Sequence, residues 1–162
     1  MNTESLQQAK TTVRNFHAAF DAAPDTELAA ALAAHTSDDY FWRGMHPFYE
    51  QTGAKAVADV FWSPLRHSFS SLQRREDVFM AGNNFVDDGK TIWVVSMGNL
   101  MGLFDQDWLG IPATRKMAFL RYAEFHRVEN GKIAESALFC DVMSIMHQAG
   151  CYPLPPPTGA NI

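Results

Sequence analysis

Tyr122, Glu124 and His126 stand at alternate positions in the stretch 116–142. Side chains of a strand alternate between its two faces, so these three share a face with Leu120. A phenol, a carboxyl and an imidazole side by side suit proton transfer, or the holding of a carbonyl or enolate oxygen. Glu124 is the first candidate for an acid or base, because desolvation in a pocket would raise its pKa toward neutrality. The plainer reading is a sheet glutamate paired with Arg121, Arg127 or Lys132, although the two arginines have the opposite strand parity. Asp141 is the second candidate, at the corner where an apolar strand gives way to a helix. It serves there equally well as the N-cap of that helix, a role that would lower its pKa. His46 is the third: it titrates near neutral pH and can pair with either carboxylate, or is a loop histidine bonded to backbone.

The elements that must position these residues follow from periodicity and turn chemistry. Asn130-Gly131 tolerates the two positive φ values of a type I′ turn, so residues 116–142 read as a hairpin of two long strands. Its second strand is almost wholly apolar through Ile133, Ala137, Leu138, Phe139 and Cys140. Helical spacing of Leu6, Ala9, Val13, Phe16 and Phe20 predicts an amphipathic helix over 5–22, capped by Asn2 or Thr3. A short alanine-rich helix is expected over 27–35, then a turn at Ser37-Asp38-Asp39 and an aromatic strand over 40–43. A third helix over 54–69 carries Pro64, which should kink or split it. Strands follow over 76–81 and 91–104, the second with Gly98 and Gly102 as marks of bulges or a bend. A loop over 105–113 carries Trp108, and a last helix over 142–148 stops at Gly150. Helices first and hairpin strands after them make the α+β class, with an antiparallel sheet wrapped over the helices into a cone-shaped barrel. Residues 1–150 form one domain, and residues 151–162 a proline-rich tail expected to cover its own barrel or a dimer partner.

The chain has 162 residues, 47% of them hydrophobic, enough for a full core in one domain. Its net charge of −5 and the lack of a basic block exclude nucleic acid as an expected partner. Two cysteines without CxxC spacing, and six scattered histidines, give no zinc motif and no disulfide scaffold. No phosphate-binding glycine loop and no Gly-x-Ser-x-Gly elbow occur. Without a signal peptide or a membrane-length apolar run, the chain is expected to be cytoplasmic with no membrane contact. Trp42, Trp62 and Trp108 are expected to shape a pocket or its lid, unless they simply fill the core. Tyr122 and His126 are expected to bind substrate, unless they are satisfied wall residues.

Several stretches resemble one family. They are Phe41-Trp42-Arg43-Gly44-Met45-His46-Pro47, Phe61-Trp62-Ser63-Pro64-Leu65-Arg66, Trp108-Leu109-Gly110-Ile111-Pro112-Ala113-Thr114, Arg121-Tyr122-Ala123-Glu124-Phe125-His126-Arg127 and Asn130-Gly131-Lys132-Ile133. With Gln148-Ala149-Gly150 they run in order along nearly the whole chain. The sequence resembles the SnoaL-like polyketide cyclases of the nuclear transport factor 2-like superfamily. The resemblance implies a cone-shaped barrel, a pocket between sheet and helices for a small apolar ligand, and a homodimer through the sheet. It implies ring closure by intramolecular aldol chemistry without metal or organic cofactor. Relatives of this fold isomerise, dehydrate, hydrolyse or only bind small molecules. The family's acid, which follows a tryptophan on the last strand, falls at Leu138 here, after Ala137. Its partner histidine falls at Glu124. The expected function is therefore a cyclase- or isomerase-like reaction on a small apolar carbonyl compound, with Glu124, Asp141 and His46 as catalytic candidates and Leu138 in the pocket wall. The alternatives are a ligand-binding protein without catalysis, or a dehydratase or hydrolase.

Overall fold

The structure, a computed structural model, describes residues 3–151; Asn2 and nearly all of the 151–162 tail lie outside the described residues. Helix α1 (Thr3–Ala22) buries Ala9, Val13, Phe16, His17 and Phe20 along one stripe. These positions recur every three or four residues, which puts them on one side of a 3.6-residue helix. A short 3₁₀ turn, Asp25–Glu27, leads into α2 (Leu28–His35).

The helix expected over 54–69 forms in three pieces: α3 (Ala54–Val57), a π-helical turn (Ala58–Trp62) and α4 (Ser63–Ser68). Pro64 has no N–H to continue the four-residue ladder. The backbone instead closes a five-residue step, with Ser63 N–H donating to the Ala58 carbonyl. This turn directs Phe61 and Trp62 into the core together.

Six strands form one sheet: β1 (Thr36–Gly44), β2 (Glu50–Thr52), β3 (Phe69–Asn83), β4 (Ile92–Phe104), β5 (Met117–Glu129) and β6 (Lys132–Cys140). Their order is β2-β1-β6-β5-β4-β3. The α+β class and the helices packed over a curved sheet are as expected. The cone is an open curved sheet with β2 and β3 as its edges. Two details of this sheet differ. It is not wholly antiparallel, because β1 runs parallel to β6. Most of the chain lies between these two strands, which removes the short-connection limit that forces neighbours antiparallel. Ser37, Asp38 and Asp39 are no turn: they belong to β1, where its register against β6 shifts between Thr36 and Phe41.

The β5–β6 hairpin turns at Asn130 and Gly131, both with positive φ, as the dipeptide predicts. On β5, Leu120, Tyr122, Glu124 and His126 are all buried on the inner face. Between that face and the helices lies an aromatic core of Phe16, Phe20, Trp42, Phe61, Trp62 and Phe69, with Phe48, Phe104 and Trp108 beside it. α5 (Val142–Gln148) closes the described chain against β5, and Gly150 ends it with a positive φ.

Candidate active site

Glu124 is 1% exposed and has a cation on its carboxylate. Arg74 Nη1 lies 3.2 Å from Oε2, reaching in from β3 across the sheet's inner face. His126 Nε2 lies 3.4 Å from the same oxygen and His17 Nε2 3.8 Å from it. Three elements thus converge on one oxygen: α1 through His17, β3 through Arg74, and β5 through Glu124 and His126. Arg74 is held in turn by Asp21, with Nε 3.1 Å from Oδ2. Its guanidinium lies 5.7 Å from the Trp62 ring centre and 5.3 Å from that of Tyr122.

The rings of both histidines are oriented by their other nitrogen. His17 Nδ1 is 3.1 Å from Glu76 Oε1, and a carboxylate only accepts, so Nδ1 carries the proton there. The His17 Nε2 faces Glu124. His126 Nδ1 is 2.8 Å from the Ser136 hydroxyl, which donates or accepts according to the tautomer. Both Nε2 atoms are buried without a hydrogen-bond partner of good geometry. A second chain of bonds backs the first: Tyr122 donates to Ser96 at 2.8 Å, and Ser96 donates to Glu76 Oε1 at 3.0 Å.

The electrostatics follow from this arrangement. Burial opposes the charge on Glu124, but His126, His17 and Arg74 outweigh it and hold the carboxyl well below its ordinary value. The upward shift expected for this residue therefore does not occur. Burial pushes the His126 imidazole below its ordinary 6.5, against the opposite pull of Glu124. Arg74 is the permanent counter-charge of Glu124. Hydrogen bonds from His17 and Ser96, aided by the nearby Arg14, hold Glu76 down at about 2 despite partial burial.

The cluster meets solvent at an open cleft of about 920 Å³ between α1 and β3. His17, Asp21, Arg74 and Glu76 line it, together with Arg14 and Phe79. Arg14 binds Glu76 at 2.7 Å and lies over the Phe79 ring at 4.0 Å. This entrance is more polar than the apolar pocket expected from sequence.

The other candidates lie elsewhere. Asp141 is exposed and caps α5, accepting from Ser144 N–H at 2.9 Å. It borders an apolar recess on the outer side of the sheet with Met97 and Phe139. His46 is exposed, with Nδ1 2.8 Å from the Tyr49 hydroxyl. Among the described residues neither makes a hydrogen bond or ion pair with Glu124. Leu138 is buried on β6 as the direct register partner of Glu124. The two positions that the resemblance sets against each other are thus neighbours across the hairpin. Trp42 packs against Phe48 and Phe61, and Trp108 against Phe48 and Phe69, inside the core. Trp62 packs on Phe20 and borders the cluster through Arg74.

Comparison with known proteins agrees with this architecture. Residues 10–149 match the SnoaL-like polyketide cyclase family. The chain belongs to that family. None of the curated proteins matches the chain. Among solved structures, it is similar to a candidate SnoaL-like polyketide cyclase from Jannaschia sp. CCS1, with 18% identity, 91% of this chain and 95% of that one covered, and a TM-score of 0.68. It is also similar to IdmH, a candidate polyketide cyclase from Streptomyces antibioticus, with 14% identity, 86% and 96% coverage and a TM-score of 0.67. An NTF2-like protein from Burkholderia thailandensis shares 21% identity over 87% of this chain and 95% of its own, with a TM-score of 0.59. At such identities the likeness establishes the fold.

Sequence reasoning missed His17, Arg74 and Ser136 in this SnoaL-like chain. His17 had a readable signal, since it sits four residues after Val13 on the apolar stripe of α1. Ser136 shares the strand parity of Leu138 and so had one too. Arg74 had none: that it reaches Glu124 rather than solvent depends on the β3–β4–β5 pairing.

Proposed function

We propose that this SnoaL-like protein moves a proton on a small carbonyl compound, in a cyclase- or isomerase-like reaction. The observation that carries the reading is the convergence of two unpartnered imidazole nitrogens and one guanidinium on a single buried carboxylate oxygen. His17, whose Nε2 faces the cluster, takes the proton from the carbon acid. Glu124 stabilises the imidazolium so formed, as a buried carboxylate does beside a working histidine. His126 and Arg74 face the oxygen on which enolate charge develops. The polar cleft favours a substrate with polar or anionic groups at its periphery. The reading is tested by the exchange of substrate C–H for deuterium, which the wild-type chain should accelerate and Glu124→Gln should not.

A non-catalytic ligand-binding role is the second reading. It is favoured by Leu138, a buried apolar residue at the position where the family's acid falls. Such a protein would take up ligand in the cleft and catalyse no exchange.

The same reading includes a homodimer through the outer face of the sheet. Met97 and Leu103 of β4, Met117 and Phe119 of β5 and Phe139 of β6 are exposed there, Phe139 by 56%. Apolar side chains on three strands, with the Asn99–Arg121 pair between them, form a surface that a second copy would cover. Phe139→Lys is expected to shift the chain from dimer to monomer in light scattering after size exclusion. A wild-type chain that is already monomeric at 100 times the working concentration would count against the dimer.

A further inference from the structure

We infer that His17, Glu124 and His126 form a site for a divalent first-row transition ion such as zinc. Their ligand atoms all lie within 4.8 Å of one another, and all three residues are buried. Two imidazoles and one carboxylate make a three-residue ligand set that leaves a position for water or a substrate oxygen.

Three observations point to an ion rather than to a set of groups that merely lie close. Both imidazole Nε2 atoms are buried, lack a hydrogen-bond partner and face the carboxylate. An unpartnered ring nitrogen in a dry site is costly, and a metal ion would satisfy both at once. Each ring is fixed through its far nitrogen, His17 by Glu76 at 3.1 Å and His126 by Ser136 at 2.8 Å. That pattern of one nitrogen free and the other bonded to a carboxylate or hydroxyl is what orients a metal-ligating histidine. Arg74, on Glu124 Oε2, plays the corresponding part for the carboxylate, since ligating carboxylates are themselves hydrogen-bonded.

The guanidinium of Arg74 repels a cation, and its surroundings offset this. Three carboxylates, Asp21, Glu76 and Glu124, face two guanidiniums, Arg14 and Arg74. The spacing rules of sequence could not reveal the site, because its histidines come from α1 and β5. The ion and the acid–base reading use the same His17 Nε2, so a bound ion would occupy the proposed base; the two are tested apart, ion uptake without a substrate and proton exchange without added metal.

The test uses the untagged full chain, stripped with a chelator and titrated with zinc by calorimetry and with cobalt(II) by visible absorption. The wild-type chain is expected to take up one equivalent of zinc, to melt at a higher temperature with it, and to develop cobalt d–d bands. His17→Gln and His126→Gln should abolish the stoichiometric uptake. Ser136→Ala should weaken it by about 10–100-fold. His67→Gln, on an exposed histidine of α4, should leave it unchanged. Should the buried variants fail to fold, the wild-type cobalt spectrum decides. The site is overturned by a stripped wild-type chain without stoichiometric zinc or cobalt bands, or by uptake that persists in both histidine variants.

Discussion

Glu124 keeps its charge in the interior because Arg74 is buried with it, and Arg74 is kept there by Asp21. Removing charges from water is costly, and only close, hydrogen-bonded partners compensate. This arrangement makes stability depend on acidity. Glu124 and Glu76 both have folded-state values below the ordinary 4.5, and His126 has one below 6.5. A depressed folded value means that the unfolded chain binds protons first, so stability falls as pH falls. The loss should begin below about pH 6.5, through His126, and steepen below about 4.5, through Glu124 and Glu76, with Glu76 held at about 2. Urea midpoints measured from pH 8 to 3 check this, and His126→Gln should remove the upper part of the slope. A midpoint that is flat from pH 6.5 down to 4 would contradict the assignment. At this scale the sequence was partly legible. The alternation of Tyr122, Glu124 and His126 placed them on one inner face. The sign of the Glu124 shift was not legible, because it depends on an arginine from a strand two places away in the sheet.

At the scale of elements, the site depends on how β3 bends over β4. The register of β3 against β4 shifts between Glu76 and Val78, directly opposite Gly98. A Cβ on Gly98 would come 1.9 Å from the Arg75 carbonyl oxygen. This close approach sits beside Arg74 and Glu76, so the glycine lets the bulge bring both inward. Gly98→Ala is expected to destabilise the fold by about 1–3 kcal/mol, as overpacking does. The measurement is the urea midpoint, and an unchanged midpoint would show that the strand relaxes without cost. Sequence pointed to a bulge or bend at Gly98 and to a break at Pro64, since both residues change what the backbone is able to do locally. It did not show that β1 runs parallel to β6, because no local signal fixes which distant strand becomes a neighbour.

At the scale of the molecule, an open curved sheet over α1 and the broken helix separates two kinds of surface. The inner face holds an aromatic core with one polar cluster at the α1–β3 cleft, and the outer face exposes Met97, Leu103, Met117, Phe119 and Phe139 among polar side chains such as Arg121. The family and the fold were legible because motifs along the whole chain carry them. The chemistry was less so, because the position of the family's usual acid is Leu138 and the groups that converge on Glu124 come from three separate elements. The most direct test of the proposed function is deuterium uptake from heavy water into slowly exchanging aryl ketones and β-keto esters, followed by mass spectrometry. The wild-type chain is expected to accelerate uptake by at least one of these compounds. Glu124→Gln and His17→Gln should each reduce that acceleration by about 10²–10⁴-fold, the usual weight of a general acid or base. Uptake at the uncatalysed rate with the wild-type chain, or catalysis that survives both substitutions, would contradict it.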